Sequence, residues 1–126
     1  MLAIARALKQ ARADGTYPPF KIRLNTNGLG NLIHHRNIVP ELKKDLDIIY
    51  VSLNAENETL WRQLVRPAAG YENGYESVKD FIKTCAQAGF DRVAASCVEN
   101  TGADPAAVKA LALSLGAEFN DREYLK

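Results

Sequence analysis

Hydrophobic and polar positions follow two different periods along the chain. In residues 1–13 the apolar side chains recur every three or four positions with basic residues between them, which predicts an amphipathic helix. Phe20–Leu24 alternates apolar and polar side chains and predicts a strand. Leu46–Asn54 is almost continuously apolar and β-branched, a pattern typical of a strand buried on both faces of a parallel sheet.

Helix start and stop residues predict further elements. Asp104-Pro105 is typical of a helix start and Gly116 of its end, while Ser77 is expected to cap a helix that ends at Gly89. The pattern also predicts a loop or short helix over Gly30–Val39, a short helix over Pro40–Lys44, a helix over Asn57–Val65, a strand over Phe90–Val98 and a last strand beginning at Ala117–Phe119.

The order of these elements predicts the fold class. Strands that alternate with helices form βα repeats, and such repeats build a parallel sheet with right-handed crossovers. We therefore expect an α/β fold of about four parallel strands flanked by helices. The length of 126 residues suits a single domain over residues 1–126.

Composition narrows the classes of partner. The net charge is +1, from 16 Lys and Arg against 15 Asp and Glu, so no overall field attracts nucleic acid or a membrane. No secretory signal is visible, and the protein is predicted to be cytoplasmic. Two cysteines exclude a disulfide framework and any metal site built from three or four thiolates.

Ligands of parallel α/β folds bind at the carboxyl ends of the strands, and this rule selects candidate residues. Each candidate is small or polar and can form hydrogen bonds with a polar ligand, but no acid–base pair stands out. The candidates are Asn25, Thr26 and Asn27 after the first strand, Ser52 and Asn54 at the end of the second, Glu99 and Asn100 after the third, and Asn120, Asp121 and Arg122 at the fourth.

Other chemical motifs are weak. Gly28 and Gly30 lack the third glycine of a dinucleotide fingerprint and the Lys-Ser/Thr of a P-loop, so they predict a turn. His34-His35 has no partner at metal-ligand spacing. Cys85 and Cys97 are interpreted as small buried side chains.

Two strand segments carry a family resemblance. Ile22–Leu29 contains a Thr-Asn-Gly strand end, and Ile49–Ala55 contains a Val-Ser-Leu-Asn strand end. In this order they resemble radical S-adenosylmethionine (radical SAM) enzymes, and the subgroup called TatD-associated radical SAM proteins is the most similar. Gly116–Tyr124 looks like a late strand of the same barrel.

The resemblance implies a partial TIM-like barrel, of which this chain would form half to two-thirds. It also implies S-adenosylmethionine and a [4Fe–4S] cluster held by a Cys-x3-Cys-x2-Cys loop. This chain has no such loop and no Gly-Gly-Glu segment, so the cluster ligands are absent and no metal ligand is assigned. We therefore expect a truncated domain, starting inside a helix, that has no catalytic activity as this chain.

The resemblance also implies roles for six residues. Asn25 or Thr26, with Asn27 in the same segment, would contact the methionine or ribose groups of S-adenosylmethionine. Ser52 and Asn54 would bind its carboxylate or ribose, and the backbone after Val98 would lie near the adenine. The alternative for Ser52 and Asn54 is that they only satisfy hydrogen bonds at the strand end.

Three hypotheses about function remain open at this point. The chain is part of a radical SAM domain, a non-catalytic module that binds a nucleotide or S-adenosylmethionine, or a half-barrel that associates with a second copy. The third follows from the expected exposure of the first strand, because an exposed edge recruits partners.

Overall fold

The computed structural model describes residues 10, 21–67, 69–98 and 102–122. The predicted helix over residues 1–13 and the predicted strand residue Phe20 lie outside this part, apart from the helical Gln10. The described chain is an α/β fold with the elements β1 (Arg23–Thr26), α1 (Gly30–His34), α2 (Val39–Asp45), β2 (Ile48–Ser52), α3 (Glu58–Val65), α4 (Gly74–Gln87), β3 (Arg92–Val98), α5 (Pro105–Ser114) and β4 (Glu118–Arg122).

The four strands form one all-parallel sheet, as predicted, and their order in it is β1-β2-β3-β4. Ile48 of β2 lies in register with Arg23 of β1 and with Arg92 of β3. The spatial order follows the chain order without a reversal. Because parallel crossovers are right-handed, this order places the connecting helices on one side of the sheet.

The two sides of the sheet differ in what they contact. On the helix-facing side, Ile49, Val51 and Leu53 are fully buried and share a core with residues of α4 and α5 such as Phe81 and Val108. The opposite side, which we call the open face, carries more polar residues. The residues of the open face are Arg23, Asn25, Ile48, Tyr50, Ser52, Arg92, Ala94, Ser96 and Glu118, of which only Ile48 and Ala94 are apolar.

The predicted cap Asp104 is confirmed at the start of α5, and Asn57 caps α3. The Asn57 side chain accepts a hydrogen bond from the Leu60 N–H at 2.8 Å, and the Asp104 side chain accepts one from the Ala106 N–H at 3.1 Å. Such caps satisfy backbone donors that have no partner in the first turn. Among the described helices, none combines the length and apolar character that crossing a membrane requires.

The start of α4 differs from the prediction. The helix begins at Gly74, three residues before the expected cap Ser77, which lies inside it. A Cβ at Gly74 would lie 2.8 Å from Leu29 and 3.0 Å from Trp61, so a larger residue at this helix start would have to displace these side chains. Tertiary packing therefore sets this helix start, and the local sequence pattern carries no sign of it.

Two strand predictions also need correction. Asn25 and Thr26 were expected directly after the first strand, yet they are its last two residues. The strand β2 was expected to be buried on both faces, but Ile48, Tyr50 and Ser52 are only half-buried. The apolar run alone does not reveal that no described helix packs on the open face. The predictions that Cys85 and Cys97 are buried are confirmed.

Gly28 provides a test of close packing beneath the turn after β1. Its φ is +80°, and a Cβ there would lie 3.0 Å from Val51 and from Val78. We expect Gly28→Ala to lower the free energy of unfolding by about 2–4 kcal/mol, because backbone strain and overpacking add. Urea denaturation measures the loss.

Gly70→Ala is the matched control for that substitution. Gly70 has φ +90° and no neighbouring atom within 4 Å of an added Cβ. The free energy of unfolding of Gly70→Ala should fall only by the cost of backbone strain, about 1–2 kcal/mol. Equal losses for the two variants would show that packing against Val51 and Val78 does not constrain Gly28.

Candidate functional site

The four parallel strands end at one edge of the sheet, which we call the carboxyl edge. Ser52 of β2 lies in register with Ser96 of β3, and Ser96 with Asn120 of β4. Ser96 is buried and Ser52 is half-buried. Three small polar residues on adjacent strands therefore lie side by side where this class of fold binds ligands.

Asn54 occupies a strained turn directly after β2. Its φ is 70°, and the Ala55 N–H donates to the Leu53 carbonyl at 2.9 Å, which closes a three-residue γ-turn of the strained, positive-φ kind. The N–H groups of Leu53 and Asn54 both donate to the Ser96 carbonyl, at 3.0 and 2.9 Å. A backbone outlier of this kind costs about 1–3 kcal/mol, and the two bonds to β3 hold it.

Tyr75 of α4 anchors the same turn from the other side. Its hydroxyl donates to the Ala55 carbonyl at 3.1 Å. The ring is buried beside Trp61, with ring centroids 6.0 Å apart. Burial, aided by the nearby Glu56, raises the pKa of Tyr75 to about 12, so the hydroxyl keeps its proton and stays a donor near neutral pH. The turn is thus tied to β3 and to α4.

Glu56 connects the loop after β2 to the start of α5. Its carboxylate accepts a hydrogen bond from the Asp104 N–H at 3.2 Å. Asp104 in turn caps α5 through the Ala106 N–H. The loop after β2 and the segment that follows β3 are therefore coupled by a side-chain-to-backbone hydrogen bond and not only by packing.

The turn after β1 is built from its own side chains. Thr26 Oγ1 accepts from the Gly28 N–H at 3.2 Å, and Asn27 Oδ1 accepts from the Leu29 N–H at 3.1 Å. Asn and Thr side chains commonly replace backbone partners in this way. Both polar groups that the sequence assigned to a ligand already have a structural partner here.

The predicted site residues fall into two groups. Ser52 and Asn54 lie together beside Ser96 at the carboxyl edge. Asn25 shares the open face but lies in register with Tyr50, two positions before Ser52 along the strands. These three residues could therefore reach one ligand.

The other three predicted residues lie apart from this group. Thr26 belongs to the helix-facing side, where it lines a cavity under β1, and Asn27 is exposed in the turn. Val98 ends β3 in register with Arg122 of β4, one strand further from β1. Glu99 and Asn100 lie outside the described residues.

A cluster on the open face was missed by the sequence analysis. The Arg23 and Arg92 guanidiniums lie 4.9 and 5.3 Å from the centroid of the Tyr50 ring. Arg92 also donates to the Tyr50 hydroxyl at 2.6 Å and to the Glu118 carboxylate at 2.8 Å. The alternation of Ile48, Tyr50 and Ser52 along β2 was the sequence signal that could have indicated this cluster. The interpretation of β2 as an almost continuously apolar strand concealed it.

Two concavities lie on the helix side, away from the carboxyl edge. One of about 280 Å3 lies under β1, with an ion pair between Arg36 and Glu41 at its mouth. The hydrogen bond from Arg36 lowers the pKa of Glu41 below its ordinary value. The other, of about 470 Å3, lies between α2 and α4 and is lined by Asn37, Val39, Pro40, Lys43, Thr84, Gln87 and Ala88.

The described residues do not fit an iron–sulfur cluster. A [4Fe–4S] cluster needs at least three thiolates here, whereas the chain has two cysteines, both fully buried, in α4 and β3. Burial raises the pKa of Cys85 to about 12 and keeps it a thiol. No group of three or more potential metal ligands occurs within the part of the chain that the structure describes.

Comparisons with known proteins add no family assignment. No protein-family model matches this chain, and no curated protein or solved structure shows significant similarity to it. The class that the structure defines is therefore an α/β protein with a four-stranded, all-parallel sheet flanked by helices.

Asn54→Gly tests whether the turn after β2 is strained. Glycine adopts φ 70° without a steric cost, and no described residue forms a hydrogen bond with the Asn54 side chain. We expect the substitution to raise the free energy of unfolding by about 1 kcal/mol, measured by urea denaturation.

Asn57→Gly serves as the control, because Asn57 has φ −147° and caps α3. The free energy of unfolding of that variant should fall by about a few tenths of a kcal/mol, because glycine is a slightly weaker helix cap than asparagine. If Asn54→Gly were neutral or destabilising, the turn would not be strained and its side chain would have a structural role.

Proposed function

We propose that this chain is the S-adenosylmethionine-binding part of a radical SAM-type barrel and has no catalytic activity by itself. The observation that carries the proposal is the strained turn at Asn54 beside Ser52 and Ser96, at the carboxyl edge. Strained backbone held by surrounding bonds is concentrated at ligand sites. The resemblance of the two strand ends to radical SAM proteins names the ligand.

The strand order favours part of a β/α barrel rather than a doubly wound sheet. A doubly wound sheet reverses its strand order at the ligand crevice and carries helices on both faces. This sheet keeps the order β1-β2-β3-β4, and right-handed crossovers between strands in this order put the connecting helices on one side. A partial TIM-like barrel of four strands has the same order and the same one-sided cover.

The chemistry of the carboxyl edge suits a polar, zwitterionic ligand. S-adenosylmethionine offers an amino group, a carboxylate and ribose hydroxyls. The Ser52 hydroxyl both donates and accepts, and the Asn54 amide does the same through separate atoms. Neutral partners of this kind contribute about 0.5–1.5 kcal/mol per hydrogen bond, so we infer modest affinity.

The proposal is limited to binding because the chain's cysteines do not fit a cluster. Reductive cleavage of S-adenosylmethionine requires an electron from the [4Fe–4S] cluster, and the two buried thiols cannot ligate it. What the residues of this chain can supply is the orientation of a polar ligand over the carboxyl edge.

Calorimetric titration with S-adenosylmethionine tests this proposal. We expect saturable binding to the wild-type chain. Ser52→Ala should weaken it about three- to tenfold, the value of one hydrogen bond. Circular dichroism checks that the variant is folded.

Ser114→Ala is the matched control for that titration. Ser114 lies at the end of α5, and its hydroxyl donates to the Leu111 carbonyl. Its loss should leave binding unchanged. The proposal fails if the wild-type chain gives no saturable heat, or if both serine variants lose affinity equally.

A second candidate function, self-association of two half-barrels, is favoured by the open sheet edges. Within the described residues, β1 and β4 each pair with one strand only. All-parallel sheets are almost always covered on both faces, whereas no described helix covers the open face. We propose that β1 of one copy pairs with β4 of another around a shared interior.

Light scattering over a wide concentration range tests self-association, and a dimer mass is expected. Asn25→Lys adds a charge to the exposed edge strand β1 and should lower the dimer fraction, since charged residues block edge pairing. Gln63→Lys on the exposed face of α3 adds the same charge elsewhere and should have no effect. A monomer at every concentration would contradict the candidate.

A further inference from the structure

The open face carries a second cluster that the proposed S-adenosylmethionine site does not use. Two guanidiniums, from Arg23 and Arg92, approach the ring of Tyr50 from the two neighbouring strands. The cluster lies towards the amino ends of the strands, whereas Ser52 and Asn54 lie at their carboxyl ends. It is therefore a separate place on the same face, and only Asn25, in register with Tyr50, lies within reach of both places.

Within the part of the chain that the structure describes, the positive charges of this cluster outnumber the negative ones. Arg92 has a carboxylate partner in Glu118, with which it forms a hydrogen bond of 2.8 Å. The Arg23 guanidinium contacts the Tyr50 ring, but no described carboxylate pairs with it. Among the described residues, two positive groups and one negative group thus leave one positive charge without a carboxylate partner.

The two arginines converge although they begin well apart. Arg23 and Arg92 lie in register on either side of Ile48, so their Cα atoms are about 10 Å apart across the three strands. Both side chains extend towards Tyr50, whose ring attracts cations. Like charges that converge repel each other, and an anion between them removes that cost.

Neutral side chains lie around the place where the two guanidiniums converge, and two of them can donate hydrogen bonds. The Tyr50 hydroxyl accepts from Arg92, and among the described residues nothing accepts the hydroxyl's own proton. Asn25 is exposed and lies in register with Tyr50, so its amide can donate next to Arg23. Ala94, on the other side of Tyr50, is small and lies beneath the cluster.

We propose that Arg23, Asn25, Tyr50 and Arg92 form a binding site for the oxyanion of a small molecule. One unbalanced positive charge matches one negative charge on a carboxylate or a phosphate group. Guanidinium groups bind both through paired hydrogen bonds. The site is solvent-accessible, since the side chains of Arg92 and Glu118 are 42% and 59% exposed.

Titration by NMR with inorganic phosphate and, separately, with acetate tests the site. Ionic strength is held constant with sodium chloride so that general screening does not change. We expect saturable chemical-shift changes for the backbone amides of β1, β2 and β3 near Arg23, Tyr50 and Arg92. Arg23→Gln should weaken the binding about tenfold, the value of a charge-assisted hydrogen bond.

Two variants separate this site from general anion binding and from the carboxyl edge. Arg36→Gln removes an exposed arginine that pairs with Glu41 elsewhere, and it should leave the binding unchanged. Ser52→Ala should also leave it unchanged, so failure of the S-adenosylmethionine site is distinguishable from failure of this one.

Saturation by acetate alone supports a carboxylate ligand, by phosphate alone a phosphate ester, and by both a general oxyanion site. Absence of saturation with both anions overturns the proposal. It is also overturned if Arg36→Gln weakens the binding as much as Arg23→Gln does.

Discussion

Parallel pairing of β2 with both β1 and β3 is the constraint on which the rest of this structure depends. It divides the side chains of β2 strictly between two sides. Ile49, Val51 and Leu53 enter the core under the helices and lose all contact with water, while Tyr50 and Ser52 are held on the open face. A slip of one residue would exchange these sets, so burial of the apolar side fixes the register, and the register fixes every group on the open face.

Local sequence signals predicted those elements whose ends are set by local chemistry. The helices α3 and α5 begin where Asn57 and Asp104 supply an oxygen to an unpaired N–H, and a cap of this kind is visible within four residues. The start of α4 was missed because it depends on the distance between Gly74 and Trp61, which are 13 positions apart along the chain. The fold class was predictable because strands that alternate with helices along the chain form a parallel α/β sheet.

The candidate residues were predictable to a similar, limited degree. Ser52 and Asn54 were found because strands end at one edge of a parallel sheet, which is a property of topology. The role of Tyr50 was not, because it depends on arginines from two other strands. Thr26 shows the converse: it lies at a strand end as expected, yet alternation places it on the helix-facing side. The position of a residue along its strand therefore predicts how near it lies to the carboxyl edge, but not which side of the sheet it faces.

The charge of the open face links the two kinds of association proposed for it. If two copies closed around this face, they would enclose four arginines, Arg23 and Arg92 from each, with two glutamates, Glu118 from each. Removing these groups from water is costly unless each charge is paired, and two arginines would have no carboxylate partner among the described residues. An oxyanion bound at each Arg23 would neutralise the two unpaired positive charges in the interior. Anion binding would thus favour closure, and closure would tighten anion binding by the same factor, because linked equilibria are reciprocal.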